Sequence, residues 1–222
     1  MPQQINKKIL LYIFLFIILG TLNNKNFNKF SLPKIENIKI YGLETDNSSF
    51  AERLKLFKMH SLFFINKFEI KELFDSNSLI DEYKIFKVYP SSLEIKVIKT
   101  EFLALTKIDG KNFFIGSNGK LIETIIDKQN LPFVFGDLNV EKFIELKRVI
   151  DKSNLDYLEI ENFYFFPSGR WDLETKSGKL IKLPNYKLKE ALELSLSLLD
   201  NEKFTNIKTI DVRQKNQVII NE

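Results

Sequence analysis

The 222-residue chain has no cysteine, one histidine, one tryptophan and only four arginines among its 33 basic residues. Without cysteine, neither a disulfide framework nor a thiolate metal site can form. His60 sits between apolar neighbours in KMHSLFFI, a setting for a loop or half-buried histidine rather than for a ligand or a base without partners. Carboxylates alone could hold a hard cation, but no Asp-rich loop of calcium-site spacing occurs. The net charge of +4 and pI near 9.0 come almost wholly from lysines interleaved with acids, whereas phosphate and base recognition uses clustered Arg and Lys. A hydrolase is equally poorly served: with no Gly-x-Ser-x-Gly and no Cys–His pair, only scattered carboxylates remain. Glycine and proline, 8 and 6 residues, form no linker, and there is no internal repeat.

What is present is apolar: 44% of the residues, enough to bury real cores in one or two small domains. One long hydrophobic run, ILLYIFLFIILGTL from Ile9 to Leu22, follows Lys7 and Lys8, with no charge until Lys25. Its 14 residues make a helix of about 21 Å, short of the roughly 30 Å hydrocarbon core of a bilayer. Three readings stay open. A cleaved signal peptide has this layout but ends in small residues, and NNKNFNKF offers none. A buried soluble helix would carry a polar stripe, which the run lacks. An uncleaved anchor needs about 20 residues, which Ile5 to Asn24 supply if both lysines snorkel. The expectation carried forward is a cytoplasmic tail over 1–8, a transmembrane anchor over 9–24, and the remainder translocated.

After the run, IENIKIYGL reads as a strand ending at a glycine. SSFAERLKLFK reads as a helix with Ser49 and Glu52 as capping box and Phe50, Leu54 and Phe57 on one face. A second helix starts at Asn66, with Phe68, Leu73 and Phe74 apolar. In KIFKVYPSSLEIKV a turn at Pro90-Ser91 pairs Val88 with Leu93 and Phe86 with Ile95. The order to about residue 100 is β-α-α-β-β.

The rest is strand-rich. Asp109-Gly110 and Asn118-Gly119 mark hairpins, Asn139 caps a helix, another helix runs from about Lys187 to Asp200, and IKTIDVRQKNQVII reads as a last strand. In GRWDLETKSGKLIKLP, a loop of Lys176, Ser177 and left-handed Gly178 sets Leu173 opposite Ile181, Trp171 opposite Leu183 and Asp172 opposite Lys182. Apolar pairs then share one face and charges the other, so Asp172 and Glu174 read as solvated outer-face charges. The whole is α+β: a membrane anchor helix, a β-α-α-β-β module over 31–100, and a mixed β-sheet domain with flanking helices over 101–222.

A short anchor, a module from IENIKIYG to KVYPSSLEIKV, and a β-rich domain carrying LPFVFG, GRWDLETKSGKLIKLP and IDVR together resemble the bacterial FtsQ/DivIB division family, the first module resembling its POTRA domain. The family's V-x-E-x-x-P-x-A joint is here Val97, Lys99, Phe102 and Ala104, without its Glu and Pro. The resemblance implies a non-enzymatic divisome scaffold without cofactor, single-pass in the inner membrane at the septum, with its bulk periplasmic. It implies FtsB and FtsL as partners and a role in recruiting and regulating septal peptidoglycan synthases. FtsB adds a strand near the family's last strand, which points to Arg213, Gln214 and Asn216 as partner-binding residues. The rival, a POTRA-containing outer-membrane transport or assembly component, needs a barrel that about 120 residues with two charged helices cannot supply.

Overall fold

The computed structural model describes residues 7–22, 32–43, 48–125, 130–199, 207–215 and 217–221. The chain divides into two compact units, one of residues 1–39, 45–66 and 85–94, the other of residues 40–44, 67–84 and 95–222.

Helix α1, Lys7–Leu22, is 16 residues long and exposes apolar side chains from Ile9 to Leu19. At 1.5 Å per residue it spans about 24 Å, about a turn short of a bilayer core. Among the described residues no helix is long and apolar enough to cross a membrane. This overturns the expected anchor over 9–24, and with it the expected single-pass placement in the inner membrane with the bulk of the chain periplasmic.

The α+β character stands. Strand β1 (Asn37–Tyr41), helices α2 (Ser48–Leu56) and α3 (Lys67–Asp75), and strands β2 (Ile80–Val88) and β3 (Ser92–Lys99) follow in the expected order, and the strands form a sheet ordered β1-β3-β2. Helix α2 begins at Ser48, so Ser49 lies inside it rather than at its cap. Phe50, Leu54 and Phe57 are buried, the spacing of one helical face. On α3 the buried set is Ile70, Leu73 and Phe74, while Phe68 is 70% exposed. Positions 70, 73 and 74 share a face that residue 68 leaves. Leu93, Ile95 and Val97 alternate inward along β3. Phe86 and Val88 do not join them; β2 turns Tyr83, Ile85 and Lys87 inward instead. Apolar residues occupy both faces of IDEYKIFKV, so alternation alone does not fix the face. Lys87 Nζ, donating to the carbonyl of Leu62 at 2.6 Å, marks the face taken.

The second sheet has nine strands. They are β4 (Phe102–Ile108), β5 (Lys111–Gly116), β6 (Leu121–Thr124), β7 (Phe133–Phe135), β8 (Ile160–Phe165), β9 (Trp171–Thr175), β10 (Leu180–Leu183), β11 (Thr209–Asp211) and β12 (Ile219–Asn221), ordered β12-β11-β10-β9-β8-β7-β4-β5-β6. Helix α4 (Val140–Ile150) precedes β8 and α5 (Leu188–Leu199) follows β10. Asn139 caps α4 as expected, its side chain accepting from Lys142 N at 3.0 Å. The β4–β5 turn is Asp109-Gly110 with φ of 51° and 82°, the left-handed pair a two-residue hairpin requires.

Cross-strand register builds the core. Val134, Phe163, Leu173, Ile181 and Ile210 lie in one row across β7, β8, β9, β10 and β11. Phe143, Leu146 and Ile150 of α4 and Leu192 of α5 are buried in the same cluster, so both helices cover this face. Trp171 is 1% exposed beside Phe143, Phe163 and Phe165, an aromatic core contact as its register demands.

Candidate partner-binding site

The β9–β10 hairpin has the register its sequence demands: Leu173 faces Ile181, Lys182 faces Asp172, Leu183 faces Trp171, and Thr175 N donates to Lys179 O at 2.9 Å. On the face opposite the helices the same register makes a second row, Phe135, Tyr164, Asp172, Lys182, Asp211 and Ile219, across six strands from β7 to β12. Beside it, Glu174 accepts from Tyr164 Oη at 2.6 Å and Asn162 Nδ2 at 3.0 Å.

Asp172 and Glu174 do face outward, but Asp172 is buried, at 7% exposed, and Glu174 is only partly solvated. Alternation assigns a side chain to a face; it does not say what neighbouring rows lay over it. Burial pushes the Asp172 carboxyl above its ordinary value, opposed by the charges of Arg213, Lys182 and Arg170. The Tyr164 hydroxyl and then the Asn162 amide hold Glu174 below its ordinary value, and Tyr164 is pushed up to about 12 mainly by the same bond. Asp172 Oδ1 and Arg170 Nε are buried and make no hydrogen bond. Arg170 stacks its guanidinium over the Phe166 ring, 4.3 Å from the centroid.

The segment IKTIDVRQKNQVII is not one strand. It breaks after Asp211 and resumes at Ile219, so β11 pairs parallel with β10 while β12 folds back antiparallel on β11 and forms the sheet edge. Arg213 and Gln214 lie in the connection between these strands rather than on the edge strand, and Asn216 lies outside the described residues. Arg213 is tied to Asp211, with Nε donating to Oδ1 at 2.8 Å, Nη2 to Oδ2, and the backbone N–H to Oδ1 at 3.1 Å. This bond is the main cause that holds Asp211 below its ordinary value and Arg213 above its own. Gln214 is exposed, and its carbonyl accepts from Gln217 N at 3.4 Å.

Two cavities open at this corner. One, of about 410 Å³, is lined by Arg170, Asp211, Arg213 and Gln214 with Ser168 and Asn185. The other, of about 770 Å³, lies between α5 and the β11–β12 connection, against Leu194, Val212 and Val218. Arg170 and Lys182 carry no motif of their own; the opposite-charge pairing of Lys182 with Asp172 is the one sequence signal that could have brought them to notice. Among the described residues no three His, Asp or Glu side chains gather as a metal site needs.

Residues 104–213 match the family described as Cell division protein FtsQ/DivIB, C-terminal. The chain is 27% identical over 205 residues to cell division protein FtsQ of Rickettsia bellii, covering 84% of this chain and 72% of that protein. It is 33% identical over 135 residues to cell division protein DivIB of Clostridium botulinum, covering 60% of this chain and 50% of that protein. Among solved structures, the major extracytoplasmic domain of the trans isomer of DivIB from Geobacillus stearothermophilus covers 50% of this chain and 99% of that one at 13% identity, with a TM-score of 0.36, too distant a likeness to carry weight.

Proposed function

Because the chain belongs to the FtsQ/DivIB family of cell-division proteins and is a non-catalytic division scaffold, we propose that it binds FtsB and FtsL and so helps recruit and regulate septal peptidoglycan synthesis. Residues 31–100 serve as its POTRA domain and residues 101–222 as its FtsQ-type β domain. FtsB docks by strand addition at the β12 edge, with Arg213, Gln214 and Asn216 reading the partner beside it.

The observation that carries this reading is the edge itself. Strand β12 is three residues long and lies outermost in the sheet, paired on one side to β11. An outermost strand offers its outer N–H and C=O groups to a further strand. The neighbouring corner supplies polar reading groups, Arg213 half-buried and Gln214 exposed. Backbone bonds would give affinity there, and the side chains register.

Site-specific cross-linking tests it. A photoreactive residue at position 214 or 219 should capture FtsB, whereas one at Asp109, in the β4–β5 turn, should not. Capture from position 109 with none from 214 or 219 would place the partner elsewhere and overturn the assignment.

A further inference from the structure

The β5–β6 loop, Ser117 to Gly119, reads in sequence as an ordinary hairpin turn, yet its side chains leave the hairpin. Asn118 Nδ2 donates to the carbonyls of Ser78 at 2.9 Å and Ile80 at 2.8 Å, while its Oδ1 accepts from Lys120 N at 3.0 Å. Ser117 Oγ donates to Asp81 Oδ2 at 3.0 Å and accepts from Glu101 N at 3.0 Å. Lys120 Nζ donates to the carbonyl of Asp75 at 2.5 Å and to that of Asn77 at 3.3 Å. Asp75 ends α3, and a cation at a helix C-terminus satisfies carbonyls that the helix leaves open. Thr100 closes the arrangement from behind, its N–H donating to Leu79 O at 3.0 Å and its Oγ1 lying 3.1 Å from Ser117 Oγ.

The glycine before the loop fits the same purpose. A Cβ on Gly116 would lie 2.7 Å from Asn118 Oδ1 and 2.7 Å from Thr100 Oγ1, closer than carbon and oxygen tolerate. Gly116 has no unusual φ to explain it, so what requires glycine here is the close approach of these two polar groups.

We propose that Ser117, Asn118 and Lys120 form a clasp that makes the α3–β2 connection, residues 75–81, mechanically part of the nine-stranded unit. Chain order assigns that connection to the β-α-α-β-β module. The clasp reassigns it, and the compact unit that holds residues 95–222 also holds residues 67–84. One of the points at which the chain passes between the two units therefore lies within β2, between Lys84 and Ile85, with residues 85–94 belonging to the other unit. The bonds span 36 to 45 residues of sequence, so no local turn preference could produce them.

Hydrogen exchange on the full chain tests the clasp. Asn118→Asp keeps the acceptor used by Lys120 N and removes both donations to the connection. It should speed exchange of the Ile80 and Thr100 amides by about tenfold or more, as expected when two hydrogen bonds are lost, and leave β8, β9 and β10 unchanged. Lys120→Met retains the aliphatic stem and should produce a smaller rise in the same segment, which keeps the test decisive if the Asn118 variant folds poorly. Wild-type exchange at Ile80 and Thr100 in both variants would overturn the proposal. So would an equal rise throughout β8–β10, which would mark general destabilisation.

Discussion

Burial lifts the Asp172 carboxyl above its ordinary value despite the nearby charges of Arg213, Lys182 and Arg170, and its Oδ1 has no donor. The folded chain therefore holds a proton there more tightly than the unfolded chain, so this residue's contribution to stability falls as pH rises from the unfolded value near 3.8 through the folded one. Asp172→Asn, which removes the charge at nearly constant volume, should raise the melting temperature at about pH 7, and the gain should close near pH 3, where both forms are neutral. Thermal melts at the two pH values check this; a variant less stable at both would show that attraction to the three cations outweighs desolvation. Arg213 makes a different case, because Asp211 already holds it in place. A guanidinium fixed this way loses less entropy on meeting a partner carboxylate. At a partly exposed position the pair contributes about 1 kcal/mol at most. Arg213→Ala should therefore weaken FtsB binding up to about fivefold, with an effect that shrinks as salt rises. Titration calorimetry at low and high salt measures both; a loss independent of salt would assign Arg213 to folding of the β11–β12 connection instead.

At the scale of elements, the β12 edge makes a prediction about alternation. Successive N–H groups of a strand point to opposite sides, so along Ile219–Asn221 some pair with β11 and some face outward. Proline removes one N–H and fixes φ. Ile219→Pro and Ile220→Pro should thus behave oppositely: one should lower the melting temperature by breaking the β11 pairing, the other should leave the fold intact and abolish FtsB binding. If both leave binding intact in a folded chain, the edge is not the docking strand. The same elements show what was legible in the sequence. The β9–β10 and β4–β5 hairpins and the Asn139 cap were readable because turn chemistry and alternation act over a few residues. The parallel pairings of β4 with β7, β7 with β8 and β10 with β11 were not, since nothing local specifies which distant strand lies alongside. Nor was the break between β11 and β12, which no glycine or proline marks. Asp211 makes it by accepting from the backbone N–H of Arg213, a local side-chain bond that competes with continuing the strand. The polar row through Asp172 was half legible: register gave its face, and only the packing of β8 to β11 gave its burial.

For the whole molecule, the consequence of a nine-stranded sheet ending in a three-residue strand is that its last strand should be separable from its fold. The buried cluster draws on strands β4, β5 and β7 to β11 and on helices α4 and α5, whereas Val218 and Ile220, like Leu121 of β6, pack against its margin without being fully buried. A chain truncated after Gln214 keeps Ile210 and Val212 in that cluster and leaves β11, paired parallel to β10, as the new edge. It should lose about 1–2 kcal/mol, the scale expected for partly buried aliphatic side chains, and still unfold in one cooperative step. FtsB binding should nonetheless disappear. The new edge cannot substitute, because β11 presents a different side-chain sequence and the opposite chain direction to an incoming strand. Urea denaturation followed by both fluorescence of Trp171 and circular dichroism measures the first expectation, and calorimetric titration with FtsB the second. Trp171 suits the purpose because it lies in the core beside Phe143 and Phe163, away from the deleted strand. A truncated chain that unfolds cooperatively and binds FtsB with unchanged affinity would show that the partner contacts another surface, and the strand-addition proposal would fall.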